Sequence, residues 1–197
     1  MVNGGGRAVV LNDMIRGNLD REGDPDHNEL IRRSGIVSSA QQLVAAARRS
    51  SAPIVWIRVE RRADRTDVPE TRTDRPMGWH LPTVVTRGSW MAEQIAELPV
   101  EDQDHVVLKP RLDPFQATDL DLRLRTLGAR TLYLGGYSTN MGVESCARTA
   151  HDLGYNVVVV RECCHNVATD LHEISMDRIL PYFARVISLG DALAELA

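Results

Sequence analysis

Four consecutive valines at residues 157–160 constrain the fold more than any other feature of this chain. Valine is β-branched and favours extended strands, and successive side chains of a strand point to opposite faces. An unbroken apolar strand therefore needs apolar cover on both faces. Such strands are typical of parallel sheets that lie between two layers of helices. The valines thus predict a buried strand, here over residues 156–160, inside an α/β fold.

The rest of the chain alternates short apolar runs with longer segments of helical spacing. Five further strands are predicted at residues 7–12, 54–59, 105–108, 131–134 and 185–188. Helices are predicted at residues 28–49, 118–127, 141–153 and 171–182. Gly128 and Gly154 follow two of these helices, where a helix end favours glycine. The pattern predicts one domain over residues 1–197, with a Rossmann-like three-layer α/β/α fold and a mostly parallel six-stranded sheet.

Residues 61–90 interrupt this alternation, because they are rich in Arg, Asp, Thr and Pro and show no sustained period. One interpretation is a solvated insertion. The segment nevertheless leaves the carboxyl end of the second strand, the edge at which open α/β sheets bind ligands. A linker would not need the large or polar side chains of Trp79, His80, Arg87 and Trp90. We therefore predict that the second half of this insertion covers a substrate and that Trp79, Arg87 and Trp90 line the pocket.

Composition excludes several functional classes. The net charge of −4 gives no reason to expect a nucleic acid or an anionic membrane as partner. No apolar run reaches the ~20 residues that a membrane helix needs. The three cysteines are odd in number and two are adjacent, which argues against a disulfide framework. A cytoplasmic location is the expectation that follows.

Lys109 is the only lysine among 23 basic residues, all the others being arginine. A lysine that persists in such a composition is either a chance survivor or a residue whose chemistry arginine cannot replace. A buried ammonium can transfer a proton near neutral pH, whereas a guanidinium cannot. Lys109 follows an apolar run and precedes Pro110, so it is predicted at the carboxyl end of a buried strand.

Two other predicted strand ends carry groups that can act together with Lys109. Asp13 follows the first strand, and residues 135–142 lead from the fourth strand into a helix. Asp13 can be read as a simple helix or turn cap. Beside Lys109 it would instead form a desolvated acid/base pair. Backbone N–H groups at the start of the following helix would suit an oxyanion or a carboxylate.

Four segments in order resemble the isochorismatase-like hydrolases, a family of isochorismatases, nicotinamidases and other amidohydrolases. Residues 9–14 resemble its strand that ends in Asp-Met, although Ile15 replaces the usual Gln. Residues 109–115 resemble its lysine segment, residues 128–140 its strand before the nucleophile turn, and residues 151–157 the helix and strand that follow. The resemblance implies acid/base roles for Asp13 and Lys109. It also implies a cis peptide between Tyr137 and Ser138.

The chain departs from this pattern at Gly142, where most members of the family carry the catalytic cysteine. The resemblance therefore implies the branch of the isochorismatases, which lack that thiol and cleave an enol ether by acid/base chemistry. Cys146, one helical turn further, is expected to be a core thiol. Cys163 and Cys164, next to His165, form a conceivable but less favoured alternative nucleophile.

These observations predict a hydrolase without the family cysteine that cleaves a small anionic or carbonyl-bearing metabolite, an enol ether or a related compound. The predicted catalytic residues are Asp13, Lys109 and Gly142. The predicted substrate-binding residues are Trp79, Arg87, Trp90, Arg111, Phe115, Tyr137, Ser138, Asn140 and Met141. No cofactor and no metal are expected, and the resemblance implies a homodimer or larger homo-oligomer. Two alternatives stay open: a catalytically silent binding protein and an amidohydrolase that uses activated water.

Overall fold

A six-stranded parallel sheet forms the centre of the computed structural model, which describes residues 6–68 and 85–197. The strands are β1 (Arg7–Asn12), β2 (Ile54–Val59), β3 (His105–Lys109), β4 (Thr131–Tyr137), β5 (Asn156–His165) and β6 (Arg185–Ile187). Their order across the sheet is β3-β2-β1-β4-β5-β6, and every neighbouring pair is parallel. The predicted α/β fold with its six strands is confirmed.

Helices cover the two faces of the sheet. They are α1 (Arg16–Leu19), α2 (Pro25–Ser34), α3 (Ile36–Arg49), α4 (Leu120–Thr126), α5 (Glu144–Asp152), α6 (Thr169–Ile174) and α7 (Leu189–Leu196). Val158 and Val160 of β5 pack into one core with residues of α3 and α7. Val157 and Val159 pack into a second core with residues of α4 and α5. The run of valines is thus buried on both faces, as its sequence requires.

Several helix boundaries differ from the sequence prediction. The single helix predicted for residues 28–49 is divided at Gly35, whose positive φ of 72° ends α2 before α3 begins. The segment predicted at residues 171–182 consists of α6, a π turn at Ser175–Ile179 and a 3₁₀ turn at Leu180–Tyr182. Helix α7 was not predicted.

Close contact between β1 and β4 brings the functional segments to one edge of the sheet. A Cβ atom on Gly136 would lie 2.2 Å from the Asn12 carbonyl oxygen, and the φ of Gly136 is 135°. Only glycine fits this position, because the backbone of β1 occupies the place of a side chain. The carboxyl end of β1 consequently lies directly beside the segment that follows β4.

The described part of the predicted insertion returns to the sheet. Arg61 forms a parallel bridge with Thr86, and a 3₁₀ turn at Trp90–Ala92 follows. Trp79, predicted to contact the substrate, lies outside the described residues. Within residues 6–68 and 85–197, no helix has the length and apolar character to cross a membrane.

Candidate active site

Asp13 is held by β2 as soon as the chain leaves β1. Its backbone N–H donates to the Ile57 carbonyl at 2.7 Å, and its carboxylate Oδ1 accepts the Val59 N–H at 2.7 Å. Asp13 has a φ of 54°, a left-handed conformation that Asp tolerates better than most residues. The side chain is buried, so its position is fixed by the sheet rather than by solvent-exposed loops.

Lys109 ends β3 and places its ammonium against Asp13. The Nζ atom lies 2.7 Å from Asp13 Oδ2 and donates to the Leu112 carbonyl at 3.0 Å. Only 1% of the Lys109 side chain is exposed, so the two charges meet almost without water. A pair in such surroundings interacts much more strongly than a surface ion pair. The predicted contact between the carboxylate and the ammonium is therefore present as a buried ion pair.

Gly142 faces this ion pair. A Cβ atom on Gly142 would lie 3.0 Å from Lys109 Nζ and 3.4 Å from Asp13 Oδ2. The ammonium therefore packs over the backbone of Gly142, in a place where most side chains would crowd it. The three residues predicted to be catalytic meet at one point.

The turn after β4 shapes the wall next to the ion pair. The peptide bond between Tyr137 and Ser138 is cis, as the sequence resemblance implied. A π turn at Thr139–Val143 follows, and the Ser138 carbonyl accepts the N–H groups of Met141 and Val143 at 3.1 and 3.4 Å. The Met141 N–H is therefore engaged within the turn and is not directed at a substrate oxygen.

Histidines line the β4 and β5 end of the same sheet edge. The Tyr137 ring lies 6.3 Å from that of His27 and 6.5 Å from that of His165. His172 accepts or donates a hydrogen bond at Nδ1 with the buried Thr139 hydroxyl, at 2.7 Å. Burial lowers the pKa of both His165 and His172, and the charge of His172 lowers that of His165 further. Both imidazoles are consequently held toward the neutral form.

Three other residues predicted to bind substrate have polar contacts with neighbouring groups. The Asn140 carboxamide accepts a hydrogen bond from Asn166. The Arg111 guanidinium donates to the carbonyl of Asp67, and Arg87 lies on the surface, 3.6 Å from the buried Glu60.

Two of the predicted aromatic residues pack against other parts of the protein. The Arg16 guanidinium stacks over Trp90, and its Cζ atom lies 5.0 Å from the centroid of the Trp90 ring. Phe115 packs against the core next to Tyr155, at 6.2 Å.

Two residues at the site were missed by the sequence analysis. Asn12 is fully buried, and its polarity inside an apolar strand was a signal that could have identified it. Arg61 is also buried, but nothing distinguishes it in sequence from Arg62 beside it. Burial lowers the pKa of the Arg61 guanidinium, while the Asp13 and Asp67 carboxylates raise it. Arg61 therefore adds a second cation to the electrostatic surroundings of Asp13.

Comparison with known proteins identifies the family. Residues 7–191 match the Isochorismatase domain family. The chain belongs to the isochorismatase family. Isochorismatase family protein YecD of Escherichia coli O157:H7 is 34% identical over 190 residues, covering 96% of this chain and 95% of YecD. The ureidoacrylate amidohydrolase RutB of Enterobacter sp. (strain 638) is 28% identical over 172 residues, covering 79% of this chain and 73% of RutB.

A solved structure gives the same assignment. An isochorismatase family protein from Burkholderia thailandensis superposes with a TM-score of 0.82 at 28% identity, covering 97% of this chain and 95% of that protein. The sequence match and the structural superposition thus both cover almost the whole chain and indicate the same family. The protein is a hydrolase of the isochorismatase family.

The three cysteines of this isochorismatase-family chain lie in the core of the protein. Cys146, Cys163 and Cys164 are all buried and free. Burial raises the pKa of Cys146 and of Cys164 to about 12, and raises that of Cys163 well above its usual value. Reactive thiols have lowered pKa values in exposed, electropositive surroundings, so these three have the character of core residues.

Proposed function

We propose that this protein hydrolyses a small anionic, carbonyl-bearing metabolite by acid/base chemistry, without a covalent thioester. One observation carries the proposal: the buried contact of 2.7 Å between Lys109 Nζ and Asp13 Oδ2, which faces the backbone of Gly142. Asp13 moves a proton, and Lys109 stabilises the negative charge that develops on the substrate oxygen. Gly142 takes the position of the family cysteine, so the site offers no thiol for covalent attack.

The cations near the ion pair support an anionic substrate. Arg61 is buried, and its pKa is raised by the Asp13 carboxylate and lowered by the Arg111 guanidinium, so both groups lie in its electrostatic surroundings. A guanidinium suits a carboxylate because it can donate two parallel hydrogen bonds. We propose that Arg61 and Arg111 attract the carboxylate of the substrate while its reactive bond lies over Gly142.

Two reaction types are compatible with this machinery. Cleavage of an enol ether is the reaction that the missing thiol suggests. Hydrolysis of an amide or ureido bond by activated water is favoured by the similarity to RutB, a ureidoacrylate amidohydrolase. Both need Asp13 and Lys109, and both proceed without a cysteine.

A panel of purified substrates tests the proposal. The purified protein is incubated with enol ethers, primary amides and ureido acids, with and without a carboxylate, and product formation is followed by mass spectrometry. We expect turnover of carboxylate-bearing compounds, and its loss in Asp13→Asn. Tight binding of such a compound without turnover would instead indicate a catalytically silent binding protein and would overturn the proposal.

A further inference from the structure

A buried hydrogen bond ties the turn that carries Gly142 to the segment at residues 166–175. Thr139 is the first residue of this π turn and is fully buried. Its hydroxyl shares a hydrogen bond of 2.7 Å with Nδ1 of His172 in α6. Because Thr139 is shielded from water, loss of this bond would leave its hydroxyl unpaired, which is costly in a protein interior. The start of the turn is therefore held against α6.

Two further side-chain bonds join the same two segments. Asn140 accepts a hydrogen bond from Asn166, whose own carboxamide oxygen accepts the Ala168 N–H at 2.9 Å. Glu144 directly follows the turn, and its Oε2 accepts the hydroxyl of the buried Ser175 at 2.8 Å. The three bonds engage the first two residues of the turn and the residue that follows its last one. The 166–175 segment therefore fixes both ends of the turn.

The turn held in this way forms a wall beside Lys109. The Nζ atom lies 2.7 Å from Asp13 Oδ2 and donates to the Leu112 carbonyl at 3.0 Å. A Cβ atom on Gly142 would lie 3.0 Å from Nζ, so the backbone of the turn packs closely against the ammonium. π turns are rare and are often found at functional sites. Displacement of this turn would open space beside Nζ and would release the ammonium from its position.

We infer that the 166–175 segment is a clamp that positions the backbone of Gly142 against the Lys109 ammonium. Its positioning residues are Asn166, His172 and Ser175. Each of them acts through the turn rather than on the substrate itself. The inference rests on the proposed function and deepens it, because it makes turnover depend on residues outside the ion pair. Such dependence needs little movement, since a displacement of about 1 Å can lower a rate ~10²-fold.

Thiol reactivity at position 142 reports the position of the turn without any substrate. In Gly142→Cys, the nearby ammonium favours the thiolate, so alkylation by iodoacetamide should persist to lower pH than for an ordinary thiol. Thr139→Val removes the hydroxyl but keeps the shape of the side chain. Added to Gly142→Cys, it should raise the pH midpoint of alkylation toward about 8.5, the ordinary pKa of a thiol. His172→Leu should have the same effect, because it removes the other half of the same bond.

Matched variants separate the clamp from general stability. Thr139→Ser retains the hydroxyl and should keep the low midpoint, as should His151→Gln on the exposed face of α5. The parent protein, whose three cysteines are buried, supplies the background of alkylation. A lower melting temperature of Thr139→Val with an unchanged midpoint would show that the bond only stabilises the fold, and the inference would be wrong. An ordinary midpoint in Gly142→Cys itself would also overturn it, because Gly142 would then not be held against the ammonium.

Kinetics with Gly142 in place test the effect of the clamp on turnover. The substrate is the compound of the panel above that the wild type turns over fastest. Thr139→Val and His172→Leu should each lower kcat ~10-fold or more with KM little changed, because a reacting group moves rather than a binding group. The double variant should lose no more than the larger single loss, since both changes remove one bond.

The outcomes of the two measurements keep the clamp and the proposed function apart. Wild-type kcat in folded Thr139→Val and His172→Leu, or losses that simply add in the double variant, would overturn the inference and leave the proposed function standing. If the wild type turns over no compound of the panel, the proposed function fails. The alkylation midpoints still decide whether the clamp holds the turn.

Discussion

Lys109 and Asp13 meet across a strand to which neither of them belongs. β2 lies between β1 and β3 in the sheet, yet Lys109 Nζ and Asp13 Oδ2 are 2.7 Å apart. The end of β2 takes part as well, because the Val59 N–H bonds to the other carboxylate oxygen. Three adjacent strand ends thus fix one ion pair. A site built on the rigid sheet holds its geometry better than a site built on loops.

Two replacements of Lys109 distinguish the effect of its positive charge on stability from the effect of its ammonium group on turnover. Lys109→Met leaves the Asp13 carboxylate buried and unpaired, and should lower the free energy of unfolding by about 3–5 kcal/mol. Lys109→Arg keeps the positive charge and should lose less stability. Both variants should lose turnover, because a guanidinium is planar, does not release its proton and cannot take the position of a compact ammonium over Gly142. Urea unfolding and kcat are measured together, with Arg125→Lys on the surface as control. Near-normal turnover of Lys109→Arg would show that charge alone suffices.

Replacement of Asp13 has a matched control at the opposite edge of the sheet. Asp13→Asn keeps the shape, tolerates the positive φ and can still accept the Val59 N–H, but it cannot take up a proton. Turnover should fall by ~10²–10⁴-fold. Asp104 is likewise buried, bonded to Arg48 at 3.0 Å and to Trp56 at 2.9 Å. Asp104→Asn should therefore reduce the melting temperature and leave kcat unchanged. Equal loss of turnover in Asp13→Asn and Asp104→Asn would show that Asp13 has only a structural role.

The sequence predicted the framework of the site because strand ends are fixed by local pattern. Asp13 and Lys109 each follow an apolar run, and a parallel sheet brings such ends to one edge. Asn12 and Arg61 were missed because burial of a polar residue depends on which elements pack over it, and this is decided by tertiary contacts. Trp90 and Phe115 were singled out for their size, yet one stacks on Arg16 and the other packs against the core. Assembly into a homo-oligomer stays a prediction.

His165 and His172, near the carboxyl end of β5, should make the free energy of unfolding depend on pH. Burial lowers the pKa of His165 and of His172 below the ordinary value of 6.5. The unfolded chain therefore binds protons at a higher pH than the folded chain does. Their stabilising contribution is fully present above pH 6.5 and is lost as the pH falls through the folded-state pKa values. Urea midpoints at pH 8 and pH 5.5 should differ less for His172→Gln than for the wild type. An unchanged difference in this variant would assign the pH dependence to other groups.

The cysteines should prove dispensable. Cys146→Ser, Cys163→Ser and Cys164→Ser should each retain turnover on a substrate that Asp13→Asn fails to process. Burial keeps all three thiols protonated at neutral pH, and only a thiolate is nucleophilic. Some loss of stability is expected, because a hydroxyl replaces a buried thiol. Loss of all turnover in one folded serine variant would identify a relocated nucleophile and refute the thiol-free mechanism.

Gly142→Cys is the converse experiment, because it introduces a thiol at the position that we propose to correspond to the family cysteine. The new Cβ would lie 3.0 Å from Lys109 Nζ, so the ammonium must shift by a few tenths of an ångström. Native turnover should fall, since the side chain fills space that the substrate or its attacking water needs. The adjacent ammonium should favour the thiolate, so alkylation by iodoacetamide should persist to lower pH than in Gly190→Cys on α7. Full native turnover that iodoacetamide then abolishes would mean that the site works with a thiol, and acid/base chemistry without a covalent intermediate would lose its basis.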